Sequence, residues 1–124
     1  MGLDFAYKRI EIPHESPHWS YSGFDRFRKR LAAEIGIDLD KMEGFDRSDI
    51  DGISWDTVDD AIAPLLNHSD CEGELPPEVC DGIYPRLIEL VQKWPDDDYD
   101  KINALRLAAM MKECGDNDGD LLFT

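Results

Sequence analysis

Between Arg47 and Arg86 the chain has no lysine or arginine, while Asp49, Asp51, Asp56, Asp59, Asp60, Asp70, Glu72, Glu74, Glu78 and Asp81 all fall in that interval. The formal net charge of the 124 residues is -15. A field of that sign repels phosphate backbones, which excludes direct nucleic-acid binding as an expectation and favours cations or a basic protein surface as partners.

Other absences narrow the class further. No run of about eighteen apolar residues exists, so no membrane span is predicted. The start, MGLDFAYKRIEIP, lacks the basic-then-apolar order of a secretory signal, and a cytoplasmic protein is expected. The three cysteines, Cys71, Cys80 and Cys114, are odd in number and irregular in spacing, which predicts reduced thiols and no disulfide framework. There is no Gly-rich phosphate loop, no GxSxG elbow and no HExxH, so a non-enzymatic domain is expected over an enzyme. The length is that of one domain, residues 1–124, with a single core.

What is present predicts a mainly α, α+β fold: four or so helices around one core, with a small antiparallel sheet from the N- and C-terminal segments. LDFAYKRIEI reads as a strand that ends at Pro13. Ser22 with Asp25 reads as an N-cap with an acidic third position, and Phe24, Phe27, Leu31 and Ile35 follow at helical spacing until Gly36. The other face of that helix carries Arg26, Arg28, Lys29 and Arg30, the one basic cluster of the chain. A short helical turn is expected around Leu39 to Glu43, and Trp55 is expected to pin the surrounding loop to the core. Thr57 with Asp60 resembles a capped start, with a helix kinked at Pro64 or beginning there. Pro77 suits a first helical position before the stripe Val79, Ile83, Leu87, Leu90, Val91 and Trp94, with a bend expected at Pro85. Asp97 or Asp98 caps a last helix with apolar positions Ile102, Leu105, Leu107, Ala108, Met111 and Cys114, closed by Gly115 at C′. Leu121 to Phe123 is expected to pair with the N-terminal strand, because a lone strand has no ladder partner.

HWSYSGF (18–24), GIDLDKMEGF (36–45), PLLNHSDCEGEL (64–75), PRL (85–87) and WPDDDYD (94–100), together with Trp55, resemble an uncharacterised family of small acidic proteins of actinobacteria and their phages. The resemblance implies a bacterial or phage cytoplasmic origin and groups the aromatic segment near His18 with the HSDC segment. It carries over no catalytic residue.

HSDCEGELPPE, His68 to Glu78, is the densest array of chemistry-bearing residues. Against a calcium loop of the EF-hand type, Gly73 at position 6 places Asp70 at 3, Glu72 at 5, Glu74 at 7 and Leu75 at 8. Position 1 is His68, a soft ligand, and position 12 is Val79 where a bidentate glutamate belongs. A degenerate EF-hand-like loop at 68–79 is therefore a candidate site for calcium or another divalent cation, with His68, Asp70, Glu72 and Glu74 as ligands. Asp116, Asp118, Gly119, Asp120 and Leu121 repeat the pattern, and paired loops of this type meet through their position-8 residues. The competing reading is an acidic turn whose Ser69 or Asp70 caps the next helix. Two thiols and an imidazole, Cys71, Cys80 and His68, with His14 or His18, form a second metal candidate at a spacing foreign to structural zinc sites. Cys71 with His68 has the residue types of a nucleophile and its base.

Trp19 and Tyr21, beside His18 and with Cys71 from the other segment, are candidate binding residues for a small molecule or a partner. Taken together, these features predict a small acidic interaction protein engaging a basic partner, as a nucleic-acid mimic-like inhibitor does. The alternatives are the divalent-metal module and a Cys/His enzyme.

Overall fold

The computed structural model describes residues 3–7, 17–39, 42, 54–67 and 73–123, the first of these stretches as backbone only. It is mainly helical with a small antiparallel sheet. The elements in chain order are β1 (Leu3–Tyr7), β2 (His18–Trp19), α1 (Tyr21–Glu34), a 3-10 turn (Trp55–Thr57), α2 (Ala63–Leu66), β3 (Gly73–Leu75), α3 (Pro77–Val91), α4 (Tyr99–Asp116) and β4 (Leu121–Phe123).

The two chain ends pair as expected, Phe5 opposite Phe123 and Tyr7 opposite Leu121. Two further strands come from segments with no strand pattern of their own. His18–Trp19 joins β1 on its outer side, and Gly73–Leu75 joins β4, giving the order β2-β1-β4-β3. Leu75 faces Leu121 across the β3–β4 ladder, so the position-8 residues of the two acidic loops are cross-strand partners. Gly73, the first residue of this short strand, adopts φ 109, a backbone conformation that suits glycine.

Helix α1 is capped by Ser20, whose Oγ accepts the Gly23 N–H at 3.0 Å, and not by Ser22. Recruitment of His18–Trp19 into the sheet leaves Ser20 extended at the strand's end, so the helix begins two residues earlier than Ser22 and Asp25 imply. Asp25 pairs instead with Arg28 and Lys29. At the other end Gly36, with φ 78, closes a Schellman motif: Ile37 N–H reaches Ala32 O at 2.8 Å and Gly36 N–H reaches Ala33 O at 3.1 Å. Phe24, Phe27, Leu31 and Ala32 are buried, each large side chain contributing roughly 1.5–3 kcal/mol of apolar burial.

Leu39 and Met42 are buried and joined by a turn, while the rest of the turn expected at 39–43 lies outside the described residues. Trp55 packs half-buried against the core. Thr57 is no cap, since its hydroxyl donates to Ser54 O; Asp60 accepts the Ile62 N–H, and α2 starts at Ala63 with Pro64 in its first turn.

Helices α3 and α4 form the most extensive contact of the fold. Pro77 takes the first position of α3. Pro85 sits inside α3, where its missing N–H leaves Asp81 O without the usual intrahelical donor. Asp98 caps α4 by accepting the Lys101 N–H at 3.1 Å. Gly115 does not end α4. It lies within the helix, where a Cβ would stand 1.8 Å from Asp81 Oδ1, so the Asp81 side chain lies over the space that glycine leaves. The left-handed closing residue is Asp118 (φ 55), and Gly119 N–H bonds Cys114 O at 2.9 Å.

The buried face of α4 also departs from its apolar pattern. Ile102 and Leu105 are exposed at 36% and 39%, while Lys101 and Asn103 are buried. Lys101 Nζ explains its own position: it donates to Gln92 O (3.1 Å), Trp94 O (2.8 Å) and Asp96 Oδ1 (2.8 Å), satisfying all three donors at the end of α3.

Candidate functional site

The sheet order decides what happens to the two motif segments. His18 stands on one edge strand and Glu74 on the other, with β1 and β4 between them. Three interstrand spacings of about 4.8 Å separate them by roughly 14 Å, so these residues share no site. Glu74 is exposed on β3 opposite Leu122. His68, Asp70, Cys71 and Glu72 lie outside the described residues. Among the described residues no group of three His, Cys, Asp or Glu side chains is placed to hold a metal ion.

The second acidic string is built differently from a cation loop. Cys114, at its position 1, is buried against Cys80. The hydrogen bond with Cys80, together with burial, pushes the Cys114 thiol far above its ordinary value. Cys80 in turn faces Leu75 O at 3.7 Å. Asp116 is held by Lys112 at 2.8 Å.

The aromatic segment converges instead on the start of α4. Trp19 is 1% exposed and stacks on Phe27 with ring centroids 4.6 Å apart, and its indole Nε1 donates to Asp100 Oδ1 at 3.0 Å. The backbone of exposed His18 works on both sides: its N–H donates to Asn103 Oδ1 at 3.0 Å, and its carbonyl accepts the Tyr99 hydroxyl at 2.6 Å. Tyr21 is half-buried and packs against the core, beginning α1.

Arg30 locks this junction. Its Nη1 reaches Asp98 Oδ1 (3.0 Å), Asp98 Oδ2 (3.2 Å) and Asp100 Oδ2 (2.9 Å), and its guanidinium lies 3.8 Å from the Trp94 ring centroid. Burial opposes the Arg30 charge, but the hydrogen bonds and charges of Asp98 and Asp100 outweigh it and hold its pKa above the ordinary value. Burial likewise opposes the Asp98 charge, yet Arg30 and the Lys101 N–H hold that carboxyl below its ordinary value.

Between α1 and the start of α4 these residues enclose an open cleft of about 470 Å³, lined by Trp19, Ser20, Gly23, Arg26, Arg30, Asp98, Tyr99 and Asp100. Gly23, Arg26 and Arg30 share one face of α1 through their helical spacing. The sequence marks Trp19 as a binding candidate but gives no sign that Asp98 to Asp100 form the opposite wall; a run of aspartates before a helix reads as capping. The contacts spanning 81 residues between Trp19 and Asp100, and between His18 and Tyr99, are what assemble it. No family model, curated protein or solved structure matches this chain.

Proposed function

We propose that this chain is a non-enzymatic interaction domain whose anionic surface engages a basic protein partner. The observation that carries this reading is how its few cations are used. Lys29 pairs with Asp25, Arg30 with Asp98 and Asp100, Arg86 with Asp60, Lys93 with Glu34, Lys101 with Asp96 and Lys112 with Asp116. The basic cluster of α1 is therefore largely cancelled within the molecule: Arg28 is buried over the Phe24 ring and bonded to Asp25, and Lys29 and Arg30 are paired. The surplus carboxylates, Asp59, Glu78, Asp81, Asp97 and Asp118 among them, are exposed. A bacterial or phage origin, which the sequence resemblance implies, suits an inhibitor that presents carboxylates where a basic enzyme expects phosphates.

The test uses a panel of basic DNA-binding domains, titrated against the protein at increasing salt with duplex DNA as competitor. Binding that weakens steeply with salt and is displaced by DNA is the expected outcome. Two variants of equal charge loss, Glu78→Gln with Asp81→Asn and Asp97→Asn with Asp118→Asn, must then differ in affinity. Salt-insensitive binding, or equal weakening by both variants, sinks the proposal, because diffuse counterion attraction has no preferred face.

A second reading, a divalent-cation module at 68–79, draws support from one observation: the antiparallel register of Leu75 with Leu121, which is how paired calcium loops meet. Thermal melts of metal-stripped protein with calcium, magnesium, manganese or zinc test it. Native-state binding raises the midpoint, by about 2.7 kcal/mol of stability at a hundredfold excess over Kd, and Asp70→Ala with Glu72→Ala must abolish that rise.

A further inference from the structure

We infer that the cleft between α1 and the start of α4 binds a small zwitterion of the free amino-acid class, its carboxylate over Gly23 and its ammonium toward Asp98 and Asp100. This site is independent of the anionic surface proposed above and lies where, among the described residues, a cation without an ion pair lines a concavity.

Arg26 is the first observation. It is exposed on the cleft face of α1 and, among the described residues, is the cation that makes no ion pair or hydrogen bond, in a chain of net charge -15 where neighbouring cations are all engaged. Its planar fork suits a carboxylate brought by a ligand.

Gly23 is the second. A Cβ there would stand 2.8 Å from Ser20 Oγ and 3.9 Å from Arg26 Nη2, so the missing side chain lets the hydroxyl and the guanidinium gather over bare backbone at the cleft floor. Ser20 Oγ accepts the Gly23 N–H and stands 3.5 Å from Ser22 Oγ. A glycine in a helix costs about 1 kcal/mol relative to alanine.

The opposite wall supplies the complementary charge. Asp98 and Asp100 share the single guanidinium of Arg30, so that group of three is net negative, facing the positive Arg26 across the opening. A ligand of one sign meets repulsion from one wall; a zwitterion meets attraction from both. The Tyr99 ring, 57% exposed at the lip, offers an apolar surface for a side chain. A volume of about 470 Å³ is within the range of small-molecule sites.

The experiment titrates the full chain with free L-amino acids, and with their N-acetyl and amide forms, following the Trp19 indole N–H by two-dimensional NMR. At least one free amino acid is expected to shift that resonance saturably, with its N-acetyl and amide forms weaker by about tenfold or more, the worth of one charge-assisted contact. Arg26→Ala should lose binding by a similar factor at unchanged thermal midpoint, because Arg26 makes no internal ion pair or hydrogen bond; Gly23→Ala, whose Cβ would crowd the Ser20 hydroxyl, should weaken it as well. The inference is overturned if no free amino acid shifts the Trp19 signal at millimolar concentration, if Arg26→Ala binds as wild type, or if the N-acetyl form binds as tightly as the free one.

Discussion

Replacing Arg30 by alanine removes the connection between α1 and the start of α4. Three hydrogen bonds to Asp98 and Asp100 are lost, along with the stack on Trp94 at 3.8 Å. The Arg30 side chain is 39% exposed and its partners are 22% and 19% exposed, so each ion pair is screened and is worth about 1 kcal/mol, not the larger value of a buried pair. The cation–π contact adds about 0.5–1 kcal/mol. The expected loss is therefore about 2–3 kcal/mol, or roughly 10 °C in Tm for a domain of this size. Arg30→Lys keeps a charge but neither the fork nor the stack, and should lose about half as much. The pH dependence carries a sign. Asp98 titrates lower in the folded protein than in the unfolded chain, so its share of the stabilisation is complete above the unfolded value of about 3.9 and is lost as pH falls through the folded value. In melts from neutral pH down to below 4, the gap between wild type and Arg30→Ala should be full at neutral pH and narrow in acid. A variant within about 2 °C of wild type at neutral pH, or a gap that acid leaves untouched, would falsify this account.

Other perturbations probe separate parts of the fold. Trp19→Phe keeps the stack on Phe27 and loses the bond to Asp100, so urea denaturation should show a loss of about 1 kcal/mol, against about 3–5 kcal/mol for Trp19→Ala. Gly115→Ala should be near neutral alone, because its Cβ displaces Asp81, but should stabilise by about 1 kcal/mol in an Asp81→Ala background. Equal effects in both backgrounds would show that the two residues do not meet. Cys80 and Cys114 are fully buried and the Cys114 thiol is pushed up, so iodoacetamide should label neither in native protein and both after denaturation, as read by intact mass. Added salt should raise Tm at neutral pH, since the self-repulsion of a chain at -15 is screened more than its short internal pairs; a fall would mean that the ion pairs dominate.

Local chemistry that depends on neighbours in sequence was legible from the sequence alone. Gly36 ends α1 because only glycine reaches φ 78 cheaply, Pro77 opens α3 because a first position needs no N–H, and Asp98, one of two aspartates in place for it, caps α4. The pairing of β4 with β1 follows from the need of a terminal strand for a partner, and the D-x-D/E-G-D/E-L repeat puts Leu75 and Leu121 at equivalent positions, which the register pairs. Where long-range contacts compete with local rules, the tertiary structure decided. Ser20 outranks Ser22 as a cap because β2 ends there, and Asp118 takes the left-handed position because α4 runs past Gly115 to Asp116. Lys101 turns inward and Ile102 outward because three oxygens at the end of α3 and the start of α4 reward a buried ammonium more than a methyl group. The cleft belongs to the same class. Its walls lie far apart in the chain, and the charges that define it look in sequence like a basic cluster and an acidic cap, until the fold pairs Arg30 with Asp98 and Asp100 and leaves Arg26 facing them alone.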